Sequence, residues 1–562
     1  MNFESLANEL IFDIFEYLTS IELIESFCLL NSRLNNLLFE YFHQCPLDFC
    51  SISKERFLSL CQTKLPLITN EISSMYISNE DETFDQLNIF YLSKLDFRQF
   101  TNLKSLTLES INSGELLNNI LSHCPQLIYL NLVRCYFDVH MNSIQSCLNT
   151  IWSLQQLQSC YLNEFFIHLL NQISLSMIFL SIDNHPLSFD CLLSLFSFVP
   201  NIQYLTVQIR DSSIDEDYFS FPMLTLTNLT INFRGQWNTL KNFFEYLPNL
   251  VKLKLELFDC CVTGYQWEDL ISNSLINLRT FHYFNVYQCD ESIEYDELFE
   301  SYRTSFWLDE HRWFIRCDCH SESRRIYLFT LPYCFRKFHH YDYDQTRTTA
   351  NESMRRFSLV KDMIFKNYLS KFSFEFPRIE HLELAIPFHE RFWSSLTNLD
   401  RLKSLEINSF VHSNEFERAI DNLHIVLEKA SHLYSLTIDY LILSQLATVN
   451  RRTVKNCSIR RLDLMVNDGH FYGNECLNLI ENFLENQCEV LLINIEQREM
   501  IVDIISRFTN LRTLIIQCQD DDYDETDDSI DELLIWLREH LSKTYSINRD
   551  ENETSVIRIW IQ

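Results

Sequence analysis

The sequence predicts an α/β solenoid with a parallel inner sheet and outer helices, set behind a short helical module. Three observations carry this expectation. An apolar phrase recurs from about residue 100 to residue 511, while the first 45 residues carry a helical period instead. The composition, 46% hydrophobic with 14% aromatic, supplies a large core. A chain of 562 residues need not divide into three or four globular domains if it is repetitive, because repeats grow by stacking.

The helical module comes first. In residues 6–18, Leu10, Ile11, Ile14, Phe15 and Leu18 share one wide apolar face, and Glu9, Asp13 and Glu16 share the polar one. Phe12 falls among the polar set, where an aromatic is either an ordinary exposed residue or a contact for a partner. Thr19-Ser20-Ile21-Glu22 has capping-box spacing, which ends one helix and starts the next. A third helix is expected from about Ser32, with Leu34, Leu37, Leu38 and Tyr41 at helical spacing. Three such helices bury too little surface to stand alone, so the module has to dock on something.

The order Leu6…Leu10-Ile11…Ile14-Phe15…Leu18…Leu23…Leu30-Asn31-Ser32-Arg33-Leu34 resembles an F-box over about 40 of the 562 residues. It departs from that pattern where Ala7 replaces the usual proline and where Leu30-Asn31 replaces an aromatic or valine. The resemblance implies docking on the small adaptor subunit of a cullin-RING ubiquitin ligase, and through it on a cullin. It assigns Leu6, Leu10, Phe12, Ile14, Phe15, Leu18, Leu23 and Leu30 to that docking and its supporting core. The other expectation is a helical cap that shields the first repeat.

The repeats follow the phrase apolar-x-x-apolar-x-apolar, often after Asn or Pro. It stands at Leu103…Leu106…Leu108, Leu127…Leu130…Leu132, Ile202…Leu205…Val207, Leu226…Leu229…Ile231 and Leu250…Leu253…Leu255. Weaker copies start at Leu157, Met177 and Leu278; the phrase resumes at Ile379, Leu402, Leu433, Ile459 and Leu511, with a doubtful copy near Cys488. Leu103 to Leu127, Ile202 to Leu226 and Leu226 to Leu250 are each 24 residues apart, and this periodicity resembles the leucine-rich repeats that commonly follow an F-box. Positions 4 and 6 of the phrase point to one face of a short strand, and positions 3 and 5 to the other. Segments between phrases, such as Leu116-Leu117…Ile120-Leu121, supply the outer helices. The expected domains are the helical module at 1–45, repeats at 46–287, an irregular aromatic and charged insertion at 288–375, and repeats at 376–562 forming a horseshoe.

The insertion holds Ser305-Phe306-Trp307 through Ile315, read as a helix, then two or so strands, or as degenerate repeats. Cys317-Asp318-Cys319-His320 with Cys334, His339 and His340 lacks the usual Cys-x2-Cys knuckle, and Ile315, Cys317 and Cys319 alternate as buried strand positions do, so no metal is expected. The acidic run at 520–532 lacks the central glycine of a calcium loop and is expected to be a solvated loop before a helix at about Ile530 to Leu541.

The net charge of −32 disfavours general binding to nucleic acids or anionic membranes. With only five glycines, no pair has the spacing of a nucleotide-binding loop, and no Gly-x-Ser-x-Gly elbow or His-Glu-x-x-His helix is present. Neither enzymatic activity nor a cofactor is expected. Nineteen scattered cysteines, an odd number, behind a start without a basic and apolar leader point to reduced thiols and a cytoplasmic or nuclear place. The expected function is that of a substrate receptor whose inner sheet face holds a protein target. Tyr129, Tyr204, Lys252, Lys254, Arg279 and His282 are the candidate contacts, with His381, Arg461 and Asp463 at similar strand positions; Lys252, Lys254 and Arg279 form a basic spot.

Overall fold

A computed structural model describes residues 3–42, 45–135, 141–163, 170–183, 185–210, 222–288, 295–340, 343–350, 357–365, 375–386, 398–409, 416–449, 458–466, 472–484, 487–521, 531–550 and 553–561. The chain forms two compact units, one of residues 1–260 and 269–281, the other of residues 261–268 and 282–562.

The first unit opens with the expected three helices, α1 (Asn8–Phe15), α2 (Ser20–Phe27) and α3 (Ser32–Phe42). The capping box at α2 is complete: Glu22 N donates to Thr19 Oγ1 at 3.2 Å and Thr19 N to Glu22 Oε2 at 2.9 Å. Among the described residues nine strands then follow, β1 (Leu47–Asp48), β2 (Ser74–Ser78), β3 (Ser105–Glu109), β4 (Tyr129–Val133), β5 (Ser159–Leu162), β6 (Phe179–Ile182), β7 (Tyr204–Arg210), β8 (Asn228–Arg234) and β9 (Lys252–Phe258). Each pairs in parallel with the next in chain order.

Parallel neighbours need a crossover, and helices such as Gly114–Ser122 and Trp237–Glu245 provide it. Phrase positions 1, 4 and 6 are buried in every copy: Leu103, Leu106, Leu108, Leu226, Leu229 and Ile231 expose 1% or less. The helix at 114–122 turns Leu117, Ile120 and Leu121 into the same core. Successive repeats are also tied through their turns. The carbonyl of Thr227 accepts from both Val251 N and Lys252 N, and that of Gln203 from both Thr227 N and Asn228 N. The asparagine ahead of the phrase has the same task, since Asn201, Asn249 and Asn277 each donate from Nδ2 to a backbone oxygen of the preceding repeat, at 2.8, 2.8 and 2.9 Å. Strand β2 comes from Ile72…Met75…Ile77, a phrase whose methionine hides it from a search for leucines.

In the second unit the strands are β10 (Thr280–Gln288, of which His282 onward belongs here), β11 (Phe314–His320), β12 (Arg325–Leu331), β13 (Lys337–His340), β14 (Gln345–Thr348), β15 (Asp362–Phe365), β16 (His381–Ile386), β17 (Ser404–Ser409), β18 (Ser435–Ile438), β19 (Arg461–Asp463), β20 (Val490–Ile495), β21 (Thr513–Cys518), β22 (Ser546–Arg549) and β23 (Val556–Trp560). β10 pairs antiparallel with β12, β12 with β11, and β11 with β14. β13, β15 and then β16 to β21 pair in parallel in that order. The antiparallel strands β23 and β22 finish the sheet.

One boundary therefore differs from expectation. The segment 288–375 holds an antiparallel sheet, and parallel stacking resumes at Lys337 within it, not at 376. Phenylalanine and methionine stand in for leucine in these repeats, as Phe335…Phe338 and Val360…Met363…Phe365. The tryptophans of the insertion pack inward, with Trp307 and Trp313 buried 6.1 Å apart, and Gly264 N donates to Ser301 Oγ beneath them at 2.7 Å. Residues 522–530 of the acidic run lie outside the described residues; the helix that follows spans Glu532–His540, capped by Asp531.

Candidate functional site

Two surfaces of the first unit bring the candidate residues together. The first is the helical module. Ile11, Phe15, Leu23 and Ile24 are fully buried and make its core, with the Phe15 ring 5.2 Å from Phe27 and 5.6 Å from Tyr41. Phe15 and Leu23, expected in the docking set or its supporting core, lie in the module's own core. Leu6, Phe12, Ile14 and Leu18 are half-buried, Phe12 stacking on Tyr41 at 6.4 Å.

One side of this module is attached to the first repeats. Ser20 Oγ donates to Asp48 O at 3.3 Å and accepts from Asp48 N at 2.9 Å; Arg56 forks onto the Glu25 carboxylate at 3.1 and 2.6 Å. Lys64 Nζ donates to Cys28 O at 3.1 Å, and Ser73 Oγ to Phe42 O at 3.2 Å. Apolar side chains remain outside all the same: Leu10 is 49% exposed, Leu29 48% and Leu30 62%.

The turn carrying Leu29 and Leu30 is held firmly against the start of α1. Arg33 Nη2 donates to Leu6 O at 2.6 Å and to Asn8 Oδ1 at 2.7 Å, and Arg33 Nη1 donates to Glu4 O. Asn31 Nδ2 donates to Glu4 Oε1 at 2.8 Å. Leu29 adopts φ 68°, a left-handed conformation costly for a branched side chain, and its N–H is taken by Asn35 Oδ1 at 2.8 Å. Leu6 precedes α1, ahead of the extended Ala7, and Leu10 lies within the helix, so the tied turn and α1 both carry apolar side chains outside the module's core.

The second surface is the sheet face opposite the buried leucines. The parallel register sets Tyr129, Ser159, Phe179, Tyr204, Asn228 and Lys252 in one row across β4 to β9. Tyr161, Ser181, Thr206, Thr230 and Lys254 form the next row. The aromatic rings make a continuous contact: Tyr129 to Tyr161 is 5.4 Å between centroids, Tyr161 to Phe179 4.7 Å, and Phe179 to Tyr204 6.2 Å. Tyr129, Tyr161 and Phe179 are half-buried, and Tyr204 is 40% exposed. Burial among these rings raises the phenols of Tyr129 and Tyr161 above the ordinary range, so both keep their proton and remain hydrogen-bond donors.

Tyr129, Tyr204, Lys252 and Lys254 thus share one surface as expected. Arg279 is exposed immediately before β10, and His282 belongs to the second unit. Tyr161 and Phe179 escaped the sequence reading, although they occupy positions 5 and 3 of the phrases at Leu157 and Met177, the outward positions that singled out Tyr129 and Tyr204. In the second unit His381, Arg461 and Asp463 also lie at outward strand positions, in rows with Ser404, Ser435 and Thr437.

Burial pushes the thiols of Cys124, Cys147 and Cys476 up to about 12, so each stays protonated at neutral pH. Cys317 and Cys319 are buried in β11, and Arg316 and Asp318, which alternate with them, are buried as an ion pair at 2.9 Å. Among the described residues no group of three His, Cys, Asp or Glu side chains is placed to hold a metal ion, and no helix is long and apolar enough to cross a membrane.

No family model and no curated protein matches the chain. Among solved structures, the chain is similar to the crystal structure of a TLR13–ssRNA13 complex, at 12% identity over 79% of this chain and 77% of that one, with a TM-score of 0.25.

Proposed function

We propose that this chain is a non-catalytic substrate receptor of a cullin-RING ubiquitin ligase, acting in the cytoplasm or nucleus. The N-terminal helices hold the small adaptor subunit and, through it, a cullin; the outward sheet face of the repeats holds the protein target. The observation that carries this reading is the exposure of Leu10, Leu29 and Leu30 on a module whose own core is already filled by Ile11, Phe15 and Leu23. Rigidly held apolar side chains outside a complete core are suited to a second polypeptide. The receptor's contribution to ubiquitin transfer is proximity, since tethering raises the concentration of the target near the charged carrier.

A second reading has its own support. The Ser20–Asp48 and Arg56–Glu25 contacts attach α2 to the first repeat, as a cap on a leucine-rich scaffold requires.

Co-purification of the adaptor separates the two. Leu10→Asp with Leu30→Asp places carboxylates at exposed positions, so the chain keeps its melting temperature and loses the adaptor. Phe15→Asp is the wrong probe, because a carboxylate at that core position unfolds the module. Undiminished adaptor capture by the Leu10→Asp, Leu30→Asp chain refutes the receptor reading.

A further inference from the structure

We infer that the row of rings from Tyr129 through Tyr161 and Phe179 to Tyr204, ending at Lys252, binds an extended proline-rich peptide segment with an acidic flank. This deepens the receptor reading and rests on it for the idea that the sheet face receives a target. The core does not need these rings outside. Leu130, Cys160, Leu180 and Leu205 fill the opposite face of the same strands at 2% exposure or less. The aromatic strip is bordered by Thr107, Asn131, Ser181, Thr206 and Asn228, and an apolar patch with a polar rim marks a binding surface.

The form of the ligand follows from what the face lacks. Backbone N–H and C=O groups of β4 to β7 are committed to the parallel ladder, so a ligand lying on the face cannot join the sheet as a strand. It has to offer flat apolar surfaces to the rings and carbonyls to the phenolic hydroxyls of Tyr129, Tyr161 and Tyr204. A polyproline II chain does both, because it carries its carbonyls unpaired and enters already ordered. Four strands at about 4.8 Å spacing place the outer rings roughly 14 Å apart, the length of about five residues in that conformation.

Charge sets the flank. Lys252 lies on the same row as Tyr204, two strands further on and exposed, with Lys254 beside it in the adjoining row. Lys252, about 10 Å from the last ring, favours an anionic side chain roughly three residues beyond the prolines. A single-stranded nucleic acid also stacks on aromatic platforms, but it brings a phosphate with every base toward a chain of net charge −32.

The test uses the full chain and fluorescence anisotropy with labelled probes. One peptide has about five prolines, a three-residue spacer and an acidic tail. Its comparators carry a lysine tail, or replace the prolines with glycine and serine, and a single-stranded oligouridylate is the fourth probe. The proline-acidic peptide is expected to bind best. Tyr204→Ala and Phe179→Ala each weaken it about tenfold, and Lys252→Glu weakens it only when the acidic tail is present. Equal binding of the glycine-serine peptide, tighter binding of the oligouridylate, or no loss in Tyr204→Ala with an unchanged melting temperature overturns the inference. Adaptor co-purification is measured on the same variants. Loss of peptide binding with the adaptor retained concerns this surface alone, whereas absence of the adaptor from the unaltered chain sinks the receptor reading and leaves peptide binding to be judged on its own.

Discussion

Arg549 donates from Nη1 to Asp521 Oδ2 at 2.6 Å, and the same guanidinium donates from Nε to Asp531 Oδ2 at 2.8 Å. Asp521 and Asp531 stand at either side of residues 522–530, so one buried cation from β22 joins both ends of the acidic stretch. Arg549 and Asp521 are 9% and 7% exposed at their side chains, where an unpaired charge is costly.

Arg549→Met is therefore expected to destabilise the chain by about 3–5 kcal/mol, because two carboxylates lose the cation that compensates their burial. Urea unfolding monitored by circular dichroism measures this. An unchanged midpoint would mean that the two aspartates turn to water once the guanidinium is gone.

Gly264 is where the backbone admits no side chain. A Cβ there would stand 2.2 Å from Ser301 O and 2.5 Å from Ser301 C, both main-chain atoms that cannot swing aside. Gly264→Ala should cost about 1–3 kcal/mol or more and loosen the packing of Trp307, whose Nε1 donates to Gly264 O at 3.4 Å. A red shift and reduced intensity of tryptophan emission before global unfolding would record the change.

Acid sensitivity in the second unit should trace in part to Glu380. A hydrogen bond from Lys361, joined by one from Lys403 at 3.2 Å, holds its carboxyl down to about 2. A depressed carboxylate contributes stability that is complete above its unfolded value of roughly 4.3 and is lost as pH falls through the folded value. Stability plotted against pH should therefore fall more steeply from roughly pH 4.5 to pH 2 in the unaltered chain than in a Lys361→Met, Lys403→Met chain. Identical slopes in denaturant titrations would contradict the assignment.

Where an asparagine stands ahead of a phrase, it should matter in proportion to its one inter-repeat bond. Asn249→Ala removes the Nδ2 donation to Leu224 O at 2.8 Å and should cost about 0.5–1.5 kcal/mol, with Asn201→Ala similar. Amide exchange checks the location: protection should drop at the Leu224 to Leu250 step more than elsewhere.

Much of the fold was legible because its core is local. Leu103, Leu106 and Leu108 are buried by the same spacing that makes them a phrase, and Thr19 with Glu22 caps α2 by contacts within four residues. The repeats at Met75, Phe338 and Met363 were hidden for a chemical reason: methionine and phenylalanine fill a leucine position without looking like one. In the antiparallel sheet of β10, β12, β11 and β14, Ile315, Cys317 and Cys319 alternate as a strand does, but the polar positions Arg316 and Asp318 are buried as well, as an ion pair, which the alternation did not announce. At the helical module, the residues of α1 were readable as amphipathic. Which of them face outward was not, because Leu10 and Phe15 look alike in sequence and only Phe15 meets Phe27 and Tyr41.

By itself, then, the sequence determined the alternation of strand and helix, the capped helical start and the leucines that each repeat buries. These depend on residues a few positions apart, whose faces are set by the 2.0 and 3.6 periods of the backbone. Only the tertiary structure decided that Tyr129, Tyr161, Phe179 and Tyr204 touch, and that Lys252 ends their row. Those neighbours come from different repeats, and the register of parallel strands, held by the turns that tie each repeat to the one before, aligns them.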